Sequence, residues 1–244
     1  MCRHMAYLGP PQTLHELLYA SAHSLHAQSY APREQVHGSV NADGFGVGWY
    51  DPVRSEPVRY RRAMPIWADA SFADVARVTR SACVVAAVRD ATVGFPVDES
   101  CAQPFRADTW LFSHNGVVAD YESVAEALGP PIPSGVLDAR APVDSAPLFA
   151  MAVRLWRKGE SMERALAAVA EAARSCSSGR YNLLAADGTR LAATACGDTL
   201  YVRHGDGSVL IASEPCDDDP AWRRVPDDSL VTATTDDVTI TAVR

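Results

Sequence analysis

Apolar and polar positions along the chain predict a helix, then strands, then helices, then strands again. Leu14, Leu17, Leu18 and Leu25 recur at helical spacing, so Thr13 to Ala27 reads as one helix with a single apolar face. Asn41 to Tyr50 alternates glycine with apolar or aromatic residues, the pattern of a strand that another backbone or a ligand approaches closely. Ala82 to Arg89 is a valine-rich run that predicts a buried strand. Trp110 to Ser113 predicts another, running into His114-Asn115-Gly116, which reads as a tight turn with positive φ at the glycine.

Helical spacing with a polar residue near each start predicts helices from Asp120 to Leu128, Ser145 to Arg157 and Ser161 to Ser175. Strands follow at Tyr181 to Ala186, Arg190 to Cys196, Thr199 to Arg203 and Val209 to Ala212, with hairpin turns at Asp187-Gly188 and Asp206-Gly207. A last strand pair from Leu230 to Val243 turns at Asp236-Asp237. This order predicts an α+β fold of two antiparallel sheets with helices outside them. No repeat or low-complexity tract interrupts it, and residues 1–244 read as one domain.

Composition narrows the function classes. With 48% hydrophobic and 21% charged residues, a 244-residue chain can bury a large core, which excludes a disordered protein. Its longest apolar runs fall short of the ~18 to 20 residues that cross a bilayer. A net charge of -8 without a dense basic run argues against a nucleic-acid partner. The start, Met1 to Tyr7, lacks the regions of a signal peptide, so a cytoplasmic protein with reduced thiols is expected. The six cysteines include no C-x-x-C pair, no histidines and carboxylates share metal spacing, and the Gly-rich segment lacks a phosphate-loop pattern. Neither metal nor cofactor is expected.

Cys2 stands apart by its position. Removal of Met1 is expected because Cys2 is small, and it would put a thiol and a free α-amine on one residue. An α-amine with a pKa of ~7.7 to 8.0 is partly neutral near physiological pH and can take the thiol's proton directly or through one water.

Cys2-Arg3-His4, Asn41-Ala42-Asp43-Gly44-Phe45-Gly46, Arg89-Asp90-Ala91-Thr92, Gln103-Pro104-Phe105, His114-Asn115-Gly116 and Asp144-Ser145 occur in an order that resembles the class II glutamine amidotransferases. The resemblance implies a four-layer αββα sandwich, the amino-terminal-nucleophile hydrolase fold, and cleavage of a glutamine side-chain amide. It makes Cys2 the nucleophile with its own α-amine as base, and gives the Asn115 side chain and Gly116 N–H an oxyanion hole. A γ-glutamyl group carries one α-carboxylate and one α-ammonium, which Arg89 and Asp144 would hold, with Thr92 adding a hydroxyl. His114 joins the substrate-contacting set. The plainer alternatives are a surface ion pair for Arg89, a helix cap for Asp144, a simple turn at Asn115-Gly116, and structural roles for His4 and His114.

Two departures weigh on the substrate: Val93 follows Thr92 where many family members have histidine, and Ala146 stands where many have glutamate. Met1 to Pro10, His23-Ser24-Leu25 with Gln28-Ser29, Asn41 to Tyr50 and Ser213-Glu214-Pro215 look like the ergothioneine-pathway branch of the family. That likeness implies hydrolysis of the small molecule γ-glutamyl-hercynylcysteine sulfoxide to glutamate and hercynylcysteine sulfoxide through a Cys2 thioester. The residues alone reach only a γ-glutamyl amide. Open alternatives are a glutaminase subunit feeding ammonia to a separate synthase and a domain that only binds γ-glutamyl compounds. Tyr7, Tyr30, Trp49, Trp67 and Trp110 are aromatic faces for a trimethylammonium group, with core packing as their default reading.

Overall fold

The nucleophile candidate opens directly into a strand, and that strand organises one of two sheets. The computed structural model describes residues 2–243, so the expected removal of Met1 lies outside the described residues. In chain order the elements are β1 (Arg3–Thr13), α1 (Leu14–Leu18), α2 (Leu25–Gln28), β2 (Phe45–Trp49), β3 (Val58–Arg62), α3 (Ala70–Val78), β4 (Arg80–Val88), β5 (Phe105–Ala107) and β6 (Trp110–Val118). They continue with α4 (Tyr121–Leu128), α5 (Ser145–Arg157), α6 (Met162–Cys176), β7 (Gly179–Ala186), β8 (Leu191–Ala195), β9 (Tyr201–Gly205), β10 (Ser208–Ala212), β11 (Arg223–Arg224), β12 (Ser229–Ala233) and β13 (Val238–Ala242). One sheet has the order β11-β9-β10-β1-β4-β2-β3 and the other β13-β12-β8-β7-β6-β5, with antiparallel pairing.

Strand alternation explains the layers. Along β1, Ala6 and Leu8 face Cys83, Val85, Val209 and Ile211 of their own sheet and Leu111, Leu184, Leu191 and Val231 of the other, forming the core between the sheets. Met5 and Tyr7 point the opposite way, onto Leu14, Leu18, Leu25 and Phe72 from α1, α2 and α3. On the far side α4, α5 and α6 cover β6 and β7 through Val124, Phe149, Val153, Leu166 and Val169. Each fully buried leucine, valine or phenylalanine contributes about 1.5 to 3 kcal/mol. The αββα sandwich is thus three apolar interfaces between four layers.

Two local expectations are corrected. The helix read over Thr13 to Ala27 is a strand end and two short helices. Thr13 closes β1 and caps α1, accepting from the Glu16 N–H at 3.0 Å while Glu16 Oε2 accepts from the Thr13 N–H at 2.7 Å. The helix ends at Leu18, and after the turns that follow Ser24 caps α2, accepting from the Ala27 N–H. His114-Asn115-Gly116 is no turn either: β6 runs through it to Val118, pairing Asn115 with Asn182 and Gly116 with Tyr181. Gly116 does not adopt the left-handed conformation; it is needed because a Cβ there would lie 1.9 Å from the Arg180 carbonyl oxygen. The expected turn at Asp206-Gly207 is present, with φ of 53° and 66°.

Candidate active site

β1 and β4 run antiparallel with Arg3 opposite Val88, which sets Cys2 beside Arg89, the residue that follows β4. The segment after β4 is held by the Gly-rich strand: Arg89 N–H donates to the Gly44 carbonyl at 2.7 Å, and Ala91 N–H donates to Asp43 Oδ2 at 2.8 Å. Cys2 is half-buried, its Sγ 4.0 Å from the Asp90 carbonyl oxygen. Burial pushes its thiol up from the ordinary cysteine value, Arg89 pulls against that, and Asp144 reinforces it. Both ionic residues expected at the site therefore act on the sulfur.

Arg89 is only 4% exposed, and its Nη1 donates to the Pro96 carbonyl at 3.0 Å while Nη2 is buried without a partner. It is not the surface ion pair of the plainer reading. Asp144 precedes α5 yet does not cap it. Its Oδ2 instead accepts from the Thr92 hydroxyl at 3.2 Å and the Val118 N–H at 3.4 Å. Thr92 thus bonds Asp144 and orients it.

The second sheet supplies the other half. β5 pairs β6 only as far as Phe112, so beyond it one edge of β6 lies open. On that edge the His114 N–H donates to Gln103 Oε1 and the Val118 N–H donates to Asp144 Oδ2. Strand alternation turns the Gly116 N–H to the same edge, between them. Asn115 is fully buried; its Nδ2 donates to Ser213 Oγ at 3.3 Å and its Oδ1 has no partner. Ser213 Oγ also accepts from the His4 N–H at 3.0 Å, so Asn115 is anchored two residues from Cys2 across the sheet boundary.

The histidines are supports. His114 Nδ1 lies 3.0 Å from Ser145 Oγ and its Nε2 2.9 Å from the Arg180 carbonyl oxygen, which engages both ring nitrogens inside the protein. His4 is buried with Nδ1 3.1 Å from Ser113 Oγ, and desolvation holds its pKa down at about 3, so it stays neutral.

Three supports carried no role in the sequence reading: Gln103, whose Nε2 donates to Ser145 Oγ at 3.1 Å, Ser145 itself, and Ser213. All three lay inside recognised motifs, which was the available signal. Of the aromatic residues, Tyr7 is fully buried, Trp110 packs on Trp156, and Trp49 lies against the outer core. Tyr30 and Trp67 remain exposed and meet edge to face. Among the described residues no three metal-ligating side chains are grouped, and no helix is long and apolar enough to cross a membrane.

Chemically, a thiol next to a cation with an unpartnered donor and a buried carboxylate, on a strand tied through Ser213 to an amide donor on the second sheet, suits attack on the side-chain carbonyl of an amino acid. Comparison with known proteins agrees. Residues 19–206 match the family described as glutamine amidotransferases class-II. A gamma-glutamyl-hercynylcysteine sulfoxide hydrolase of Mycolicibacterium smegmatis is 44% identical, over 95% of this chain and 95% of that protein. A protein of the same name from Mycobacterium tuberculosis is 43% identical over 100% of this chain and 97% of that one. A glutamine aminotransferase class-II domain protein from Silicibacter pomeroyi has a TM-score of 0.69 at 24% identity, covering 100% of both chains. The allosteric regulatory enzyme of purine biosynthesis reaches 0.71 at 15% identity over 100% of this chain and 49% of its own. The last two likenesses concern the fold alone.

Proposed function

The chain belongs to the class II glutamine amidotransferases, and from this membership we propose that it hydrolyses γ-glutamyl-hercynylcysteine sulfoxide to glutamate and hercynylcysteine sulfoxide. The two hydrolases at 44% and 43% identity support that substrate over free glutamine, and with it the ergothioneine pathway. In this proposal residues 1–244 act as one domain of this family.

In this reading Met1 is removed and the Cys2 α-amine takes the thiol proton as Sγ attacks the γ-carbonyl. Arg89 holds the α-carboxylate of the glutamyl group, and Asp144, oriented by Thr92, holds its α-ammonium. The negative oxygen of the tetrahedral intermediate is met by Asn115 Nδ2 and the Gly116 N–H, each worth ~10²- to 10³-fold in rate. Collapse breaks the C–N bond, and the proton taken from sulfur passes to the leaving nitrogen. Water then adds to the thioester, its hydroxide ending in the glutamate carboxyl and its other proton returning to sulfur.

The observation that carries this reading is the unpartnered, buried Nη2 of Arg89 beside Cys2 and Asp144. The test is glutamate release from the γ-glutamyl sulfoxide and from glutamine in parallel. Faster release from the sulfoxide, lost in Cys2→Ala, is expected. Preference for glutamine would transfer the protein to the ammonia-supplying reading, and full activity in Cys2→Ala would remove the nucleophile.

A further inference from the structure

Ser213-Glu214-Pro215 takes part in no step above, yet Ser213 is fully buried at the boundary of the two sheets. We propose that Ser213 is a positioning residue that acts through Asn115, holding the side-chain amide with its nitrogen toward the developing oxyanion. The proposal rests on the reading of Cys2 and Asn115 given above.

A hydroxyl has one hydrogen to donate and two lone pairs. At Ser213 all three are engaged: Oγ accepts from His4 N–H at 3.0 Å and from Asn115 Nδ2 at 3.3 Å, and donates to the His4 carbonyl at 3.3 Å. The residue cannot drift to make room, because its N–H also donates to the His4 carbonyl at 3.0 Å and its own carbonyl accepts from the Thr199 hydroxyl at 2.7 Å. One oxygen therefore ties the strand that carries the nucleophile to the side chain on the other sheet.

The asymmetry of the Asn115 amide gives this contact its purpose. Its Oδ1 is buried without a partner, so nothing on that end fixes the amide plane. The bond from Nδ2 to Ser213 decides which end faces which way, and it uses only one of the two Nδ2 hydrogens. Turned over, the amide would present an oxygen to the oxyanion, replacing attraction with repulsion.

The test is a double-mutant cycle on the full-length enzyme, read as kcat and KM for whichever γ-glutamyl amide the wild type cleaves fastest. Ser213→Ala should lower kcat by ~10- to 100-fold and move KM by less than about threefold, since the loss falls on the transition state. In an Asn115→Ala background the same change should cost less than about twofold. Iodoacetamide alkylates sulfur without forming an oxyanion, so its rate at Cys2 should change by less than about twofold. Multiplicative losses in the cycle, or an equal fall in alkylation, would show that Ser213 merely supports β1 and would overturn the proposal. If Ser213→Ala does not fold, Ser213→Cys, close in size and a weak acceptor, carries the same expectation and the same refutation. Failure of the substrate reading would be seen separately, as a wild type inactive on the sulfoxide but active on another γ-glutamyl amide.

Discussion

At Arg89 a guanidinium is buried with its Nη1 on a backbone carbonyl and its Nη2 on nothing. Leaving such a donor without a partner costs about 1 to 3 kcal/mol, a penalty that a bound carboxylate relieves. Arg89→Lys keeps the charge but loses the planar fork, so KM for the γ-glutamyl substrate should rise by roughly tenfold or more while kcat falls less. Steady-state kinetics check this, and an unchanged KM would remove Arg89 from the carboxylate. His4 shows the opposite case, a titratable group near the nucleophile that burial keeps neutral and makes a weak base at ordinary pH. Arg89, Asp144 and Asn115 were legible in the sequence because they lie in short motifs of known order. The part played by Ser213 was not, since its bonds reach 209 residues back to His4 and 98 back to Asn115, distances over which no local pattern operates.

Among the elements, β6 does most to set the site, and its sequence points to a strand only as far as Ser113. Asn-Gly is a turn signal in isolation, but tertiary pairing with β7 draws both residues into a strand. The glycine is kept for space rather than for conformation. Gly116→Ala would drive a methyl into the Arg180 carbonyl, 1.9 Å away, and should destabilise the protein by about 1 to 3 kcal/mol while displacing the adjacent Asn115. A denaturant titration with a parallel activity assay checks this; a variant as stable and active as wild type would contradict the packing argument. Helices α4 and α6 are legible nearly to their ends because periodicity and caps coincide, Asp120 and Ser161 accepting from the third N–H beyond them, whereas α5 is legible from periodicity without a side-chain cap. Strand β3, with three arginines in five residues, escaped because its pattern is not apolar. Arg59 and Arg61 both bond Asp138, which ties this edge strand to the segment before α5.

On the scale of the molecule, the sandwich brings together groups distant in sequence by stacking two sheets whose strands β1 and β6 each bring part of the site. The inter-sheet core of Ala6, Leu8, Leu111 and Leu184 sets the separation between β1, which follows Cys2, and β6, which carries Asn115 and Gly116. That arrangement was legible as a fold class, since strand and helix runs alternate plainly along the chain, whereas strand order and register depend on contacts no local run encodes. The central claim is that the mature chain begins at Cys2 and carries the acyl group on its sulfur. Mass spectrometry of the enzyme, acid-quenched during turnover of γ-glutamyl-hercynylcysteine sulfoxide, tests it most directly. The account predicts a chain lacking Met1 with a glutamyl adduct on the Cys2 peptide, absent from Cys2→Ala. Turnover by a chain that retains Met1, or an adduct on any other residue, would contradict it.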